Sequence, residues 1–296
     1  MGSLDIPRQQ RVAVAAAEDD VVLKTLAEGH RRGLIEPLLC GDQAAIEKTA
    51  RELSLDISKF DILPAASVRE AAGLAVSLVR EGRADILMKG LIQTADFLRA
   101  VLDKERGLRG PGTLSHCTIM RSPFLGRPVL MTDAALIPYP DLATKVKIIE
   151  NALIVARGLG IEKPGVAPLA AVEVLNPDMP ATVEAAALTV MNQRGQIKGC
   201  VIDGPLAMDL ALSEEAARHK GLKSEVAGRA DILLFHNIEA ANNTVKALIY
   251  GGGALGGGLV VGAACPIVIA SRSDSEQGKL FSIACAASLS ARPRVN

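Results

Sequence analysis

The segment from Leu248 to Ser271 constrains the fold of this chain more than any other, because it has no charged residue over 24 positions. On hydropathy alone, a stretch of this length could cross a membrane as a helix. It contains seven glycines and Pro266, and both residue types strongly disfavour a continuous helix. The segment therefore predicts a glycine-rich loop that leads into a short buried strand, Ile267–Ala270, and no membrane span.

Ser271 and Arg272 stand at the end of that predicted strand, just before a predicted helix. A phosphate site needs a fixed positive charge and hydrogen-bond donors, and open α/β sheets bind ligands where a strand ends and a helix begins. Both residues are therefore candidate catalytic residues. The alternative is a helix cap beside a solvated arginine, and the residues that follow also match a capping box with Ser273 as the cap and Glu276 as its partner.

The composition excludes several classes of protein. The 33 basic and 33 acidic residues cancel, and aromatic residues make up 2% of the chain with no Trp, so a nucleic-acid partner is not expected. The five cysteines are widely scattered, which favours reduced thiols over disulfides or a zinc site. Residues 1–10 lack the apolar segment of a secretory signal, so a cytoplasmic location is expected.

Alternating strand and helix patterns predict an α/β fold with mainly parallel sheets and helices on both faces. The expected organisation is two α/β domains: residues 1–138 with 259–296 form the first, and the inserted residues 139–258 form the second. The predicted strands are Arg11–Ala16, Glu36–Gly41, Asp85–Met88, Pro128–Thr132, Val166–Val172, Gly199–Ile202, Ile232–Phe235 and Ile267–Ala270. The predicted helices are Asp19–Arg32, Ser67–Glu81, Thr94–Asp103, Leu142–Gly158 and Ser273–Leu289.

A second possible anion pocket lies where another predicted strand ends in Lys89 and the next helix opens with Thr94 and carries Arg99. The alternative is that Lys89 is an ordinary surface lysine and that Arg99 pairs with Asp96 or Asp103 across one helical turn. These residues are candidates for substrate binding on position alone.

Other polar residues give weaker indications. Asp203 follows a predicted strand and is either a substrate-binding residue or part of a glycine-proline turn. His116 and Cys117 are adjacent, and neighbouring residues on a strand point to opposite faces, which disfavours a Cys-His nucleophile. The four histidines show no metal-ligand spacing, so no metal site is predicted.

Four segments of the chain match the motifs of one known family: Thr94–Asp96 with Arg99, Thr132–Ala135 with Pro138 and Pro140, Gly221–Asp231, and Pro266–Arg272. In this order they resemble the phosphate acetyltransferases and phosphate butyryltransferases, over nearly the whole chain. The residue types at positions 88–90 and 271–276 are more similar to the butyryl or branched-chain subgroup.

The resemblance implies an isocitrate/isopropylmalate dehydrogenase-like fold with the active site in a cleft between two domains. It implies reversible transfer of a short acyl group, such as butyryl or isobutyryl, between coenzyme A and inorganic phosphate, with no metal and no permanently bound cofactor. A homo-oligomer is expected. By resemblance, Ser271 would donate to the reacting carbonyl, and Arg272 and Arg99 would hold phosphate. The other residues assigned to substrate binding are Lys89, Thr94, Asp133 and Asp203.

The general base is open at this point. Acetyl-type members carry an aspartate seven residues after the serine, and Gly278 stands at that position here. Asp274 or Glu276 is one possibility, and Asp203 or Asp133 is another. Two rival functions are a non-catalytic acyl-CoA-binding module, which Gly278 would explain, and an NAD-dependent, metal-assisted dehydrogenase on the related fold.

Overall fold

The computed structural model describes residues 8–110, 112–269 and 274–291, and the chain divides into two compact units. The first unit consists of the chain up to Gly112 together with the chain from Gly257 onward. The second unit is Thr113–Gly256. The division falls earlier than the boundary expected near residue 139, because the strand Val129–Thr132 pairs with Ile232–Leu234 inside the second unit.

Strands and helices alternate in the N-terminal part of the first unit, and short polar side chains cap three of its four helices. Asp19 accepts a hydrogen bond from Val22 N, and Ser67 accepts one from Glu70 N. Such caps satisfy backbone N–H groups that have no partner within the helix. The elements are β1 (Gln10–Ala15), α1 (Asp20–Arg31), β2 (Ile35–Gly41), α2 (Gln43–Glu52), β3 (Asp61–Pro64), α3 (Val68–Arg80), β4 (Ile86–Lys89) and α4 (Thr94–Val101).

Within the second unit the strand order is β5-β6-β9-β7-β8. Strands β6, β9, β7 and β8 run parallel, and β5 runs antiparallel to β6. Apolar side chains from the strands and the covering helices form its core. The elements are β5 (Ser115–Arg121), β6 (Val129–Thr132), α5 (Leu142–Gly158), β7 (Gly165–Pro168), α6 (Pro180–Gln193), β8 (Val201–Ile202), α7 (Met208–Leu212), α8 (Glu214–His219), β9 (Ile232–Leu234), α9 (Ile238–Lys246) and a π-helical turn (Ala247–Gly251).

The chain then returns to the first unit through β10 (Leu255–Val261), β11 (Ile267–Val268) and α10 (Glu276–Ser290). The strand order of this unit is β3-β2-β1-β4-β11-β10. All neighbouring pairs are parallel except β10 and β11, which are antiparallel. The predicted α/β fold with mainly parallel sheets is confirmed, and β10–β11 and β5–β6 are antiparallel pairs within it.

The glycine run, residues 251–258, extends into a strand, although the sequence pattern predicted a loop. Residues 256–258 lie within β10, and Gly257 and Gly258 lie against α10. A Cβ atom at Gly257 would lie 2.8 Å from Phe281 Cδ1 and 3.1 Å from Ser282 N. Gly258 N–H donates to Ser282 Oγ at 3.0 Å. Gly257 and Gly258 therefore let α10 approach the strand, and the prediction of a loop at these two positions is wrong.

The start of α10 also differs from the prediction. Its N-cap is Ser275, whose hydroxyl accepts a hydrogen bond from Gly278 N at 3.1 Å. The predicted capping box with Ser273 as the cap is therefore wrong, since the helix begins two residues later than that pairing requires. Ser273 itself lies outside the described residues.

No helix in the described part of the chain combines the length and the apolar character needed to cross a membrane.

Candidate functional site

The predicted catalytic pair, Ser271 and Arg272, lies outside the described residues, but the elements on either side of it are described. Strand β11 runs parallel to β4 and directly beside it, so both strands end at the same edge of the sheet. Helices α4 and α10 follow these two strands and begin at that edge. We call this edge, which carries Lys89, Thr94 and Asp274, the first-unit edge. It is the kind of location at which open α/β sheets bind ligands.

Lys89 is buried at the first-unit edge, with 9% of its surface exposed. Its ammonium group donates to the backbone oxygen of Gly90 at 3.2 Å. The alternative of an ordinary surface lysine is therefore wrong. Burying an ammonium group is costly unless it has partners, so Lys89 is held by the protein around it rather than by water, and its predicted role in substrate binding is untested.

Thr94 and Arg99 are exposed on α4, and they lie at opposite ends of that short helix. Arg99 forms an ion pair with Asp96, and the two side chains are 63% and 54% exposed. This is the pairing that the alternative interpretation described. An exposed pair of this kind stabilises a protein by only about 0.5 kcal/mol, so exchanging Asp96 for a phosphate group costs little. Phosphate binding by Arg99 stays a prediction.

Asp133 lies in the second unit and uses its carboxylate to build the turn after β6. Its Oδ2 accepts a hydrogen bond from His116 N at 2.9 Å, and its Oδ1 accepts from Ala135 N and Leu136 N at 2.9 and 2.8 Å. The residue is 3% exposed. Three backbone donors occupy both oxygens, which argues against Asp133 as the general base. Its predicted role in substrate binding is untested.

Asp203 follows β8 and is half-buried. Strands β9 and β7 lie between β8 and β6, and three strand spacings separate these two outer strands by about 14 Å. The structure therefore does not bring Asp203 next to Asp133, although both follow parallel strands of one sheet. Substrate binding by Asp203 also stays a prediction.

Between those two positions lies a charged cluster that the sequence did not indicate. Lys145 is 2% exposed, its ammonium pairs with Glu184 Oε2, and it lies 3.1 Å from His236 Nδ1. Glu184 Oε2 is also 3.1 Å from His236 Nδ1. The cluster borders a small, partly open pocket at the ends of β7 and β9. Lys145 is 39 residues from Glu184 and 91 from His236, so only the tertiary fold brings the three together.

We expect Lys145→Met to lower the free energy of unfolding by about 1–3 kcal/mol, because it leaves Glu184 beside His236 without its cation. Urea denaturation measures the change. The control is Lys147→Met on the same helix, where the lysine and its partner Glu150 are about half exposed. That change is expected to stay within about 0.5 kcal/mol. Equal losses in the two variants would contradict the assignment of Lys145 as the structural cation of the cluster.

The cysteines are free and buried. Burial raises the pKa of Cys40 to about 12, that of Cys200 to about 11 and that of Cys285 to about 12. Cys117 is fully buried in β5, next to His116. Among the described residues, no group of three His, Cys, Asp or Glu side chains is arranged to hold a metal ion. The described cysteines and histidines therefore add no candidate residue to the first-unit edge.

Comparison with known proteins gives a consistent result. A family model described as "Phosphate acetyl/butaryl transferase" matches residues 64–287. The chain is 48% identical to a phosphate butyryltransferase of Clostridium acetobutylicum over 94% of this chain and 92% of that protein. It is 43% identical to a phosphate acetyltransferase of Thermotoga maritima, over 94% of each. A crystal structure of a branched-chain phosphotransacylase from Enterococcus faecalis superposes with a TM-score of 0.86 at 33% identity, covering 95% of this chain and 99% of that one.

Proposed function

This chain belongs to the phosphate acetyl/butyryl transferase family, and we propose that it transfers a short acyl group reversibly between coenzyme A and inorganic phosphate. The observation that carries this proposal is sequence similarity that runs through both compact units. The acyl group we propose is butyryl, isobutyryl or another small chain, because the relatives include a butyryltransferase and a branched-chain phosphotransacylase.

The chemistry needs a proton acceptor and fixed positive charge. In the direction that consumes acyl phosphate, a base takes the proton of the coenzyme A thiol, and the thiolate attacks the carbonyl carbon of the acyl phosphate. A carbon–sulfur bond forms, the carbon–oxygen bond to phosphate breaks, and phosphate leaves with the electron pair. Hydrogen-bond donors and guanidinium groups stabilise the negative charge that develops on the carbonyl oxygen and on the leaving phosphate. In our proposal Ser271 donates to the carbonyl, and Arg272 and Arg99 hold the phosphate.

We assign the proton transfer to Asp274. It is half-buried at the first-unit edge, one residue before the N-cap of α10. Glu276 is the first residue of α10 and is exposed, and the oxygens of Asp133 already accept backbone donors. Gly278 donates its N–H to the cap and has no side chain for the task. These positions support Asp274 over the other carboxylates.

We further propose that the protein works in the cytoplasm, as a homo-oligomer and without a permanently bound cofactor. Five buried free cysteines suit a reducing compartment. Large apolar side chains are exposed on neighbouring helices of the second unit, at Ile154 on α5 and at Val183 and Val190 on α6. Exposed apolar side chains of this kind are typical of association surfaces.

The test is release of free thiol from acetyl-, butyryl-, isobutyryl- and octanoyl-CoA by the purified protein. We expect release that requires phosphate, is not supported by sulfate, is unchanged by a chelator and is fastest with butyryl- or isobutyryl-CoA. Coenzyme A binding without turnover of any substrate would favour a non-catalytic module. Oxidation of a substrate that requires NAD and is lost with chelator would favour the dehydrogenase.

A further inference from the structure

Lys279 lies in the first turn of α10 and is 4% exposed. Its ammonium group donates one hydrogen bond, 2.7 Å long, to the backbone oxygen of Asp274. An ammonium group has three N–H donors and a full positive charge. Within the described part of the chain, Lys279 has no ion pair and no second acceptor, and exposed Glu276 on the same turn does not pair with it.

Two physical effects oppose this placement, and they act in the same direction. A buried charge with only one neutral acceptor is strongly disfavoured, because water has been removed from it without a counter-ion. The N-terminus of a helix also carries a partial positive charge, which repels a cation. The bond to Asp274 shows that the side chain points back toward that N-terminus. An anion at this place would offset both effects.

Lys145 provides a contrast within the same chain. It is buried to a similar degree, and Glu184 neutralises it. Lys279 has no such carboxylate among the described residues. The charge balance at the start of α10 is therefore completed by something other than the described side chains.

The surroundings indicate the class of that anion. Helix α10 packs against β4 and β11, and β4 ends in the buried Lys89. The first-unit edge therefore carries the buried ammonium group of Lys279 at the N-terminus of α10, and α10 packs against the strand that ends in Lys89. An anion with several acceptor oxygens and more than one negative charge satisfies Lys279 and the helix N-terminus together, and phosphate has both properties.

We propose that Lys279 binds the phosphate oxyanion that enters or leaves during acyl transfer, at the N-terminus of α10. The identity of this phosphate as a substrate rests on the proposed function, whereas the anion site itself rests on the burial and charge of Lys279. Phosphate could reach the site from two sources, inorganic phosphate or the phosphate groups of coenzyme A. We commit to inorganic phosphate and the phosphoryl group of the acyl phosphate.

The experiment compares wild type with Lys279→Met, Lys279→Arg and the control Lys48→Met. Lys48 is an exposed lysine on α2, paired with Glu52. Thermal unfolding is followed without ligand, with inorganic phosphate and with coenzyme A, and the KM values for phosphate and acyl-CoA are measured. Methionine keeps the apolar volume and removes the charge, so we expect Lys279→Met without ligand to unfold at the same temperature as wild type or higher.

With phosphate, we expect Lys279→Met to lose most of the thermal stabilisation that wild type gains. Its KM for phosphate is expected to rise at least about tenfold, the effect of losing one charged hydrogen bond. The KM for acyl-CoA is expected to change less than about twofold, because in this proposal Lys279 does not bind acyl-CoA. Lys279→Arg keeps the charge and retains the phosphate response, and Lys48→Met behaves as wild type.

Several outcomes would overturn the proposal. If Lys279→Met fails to fold, or unfolds at a lower temperature with its phosphate response intact, Lys279 only ties Asp274 to the helix. If the response to coenzyme A is lost and the response to phosphate is kept, the site holds a phosphate of coenzyme A. A wild-type protein that releases no thiol, yet shows a phosphate response that depends on Lys279, would contradict the proposed function and support this site.

Discussion

A single added methyl group at position 90 should destabilise the first unit strongly, whereas the same change at an exposed glycine such as Gly73 should not. A Cβ atom at Gly90 would overlap the backbone oxygen of Ala16 and lie 2.8 Å from that of Ala15. Both contacts are with backbone atoms at the end of β1, which side-chain rotation cannot relieve. We expect Gly90→Ala to lower the free energy of unfolding by about 3 kcal/mol, and urea denaturation measures it.

The matched control for Gly90→Ala is Gly73→Ala. Gly73 is exposed within α3, and a Cβ atom there would meet nothing within 4 Å. Because alanine favours a helix more than glycine does, we expect this variant to be more stable by about 0.5–1 kcal/mol. The two changes add the same methyl group to the same unit, with opposite expected signs. A loss of less than about 1 kcal/mol in Gly90→Ala would contradict the close approach of β4 to β1.

Gly257→Ala should reduce activity strongly through the position of α10. The new Cβ atom would press on the side chain of Phe281 and on the backbone nitrogen of Ser282. The helix must move by a few tenths of an ångström or more, and it carries Lys279, with Asp274 bonded to it. Displacing groups that position a substrate by about 1 Å costs about 100-fold in rate, so we expect kcat/KM to fall by about tenfold to 100-fold.

Gly251→Ala is the control from the same glycine run. A Cβ atom at Gly251 would meet nothing within 4 Å. We expect its kcat/KM and its melting temperature to stay close to those of wild type. If both variants lost activity equally, the run would act through its flexibility rather than through the space it leaves for α10.

Sequence patterns predicted the elements whose ends carry local signals. The helix predicted over Leu142–Gly158 is α5, and Asp141 caps it by accepting from Thr144 N. Helix α6 was not predicted, because it is apolar over much of its length and has no side-chain cap bond. Strand β10 was missed because its glycines are typical of loops, and only the packing of α10 against Gly257 gives them a role in a strand.

The residues of the candidate site show the same contrast between those with a local sequence signal and those that only the fold brings together. Lys89 was identified from its place after a strand, and its burial became visible only in the structure. Lys279 is the one charged residue between Gly278 and Ala291, and a lone charge in an otherwise uncharged stretch is the sequence signal that indicates this position. The cluster around Lys145 gave no signal, because its members meet only through the fold.

The order of strands in the first unit has a consequence for biosynthesis. Strand β11 comes from the last part of the chain, and it fills the position between β4 and β10. On the ribosome, the second unit emerges as one continuous stretch and can fold before the final residues appear. Until then, β4 has an open hydrogen-bonding edge, which is a template for pairing with other chains. Truncation before Ile267, which removes β11, should therefore yield insoluble protein rather than a smaller folded product.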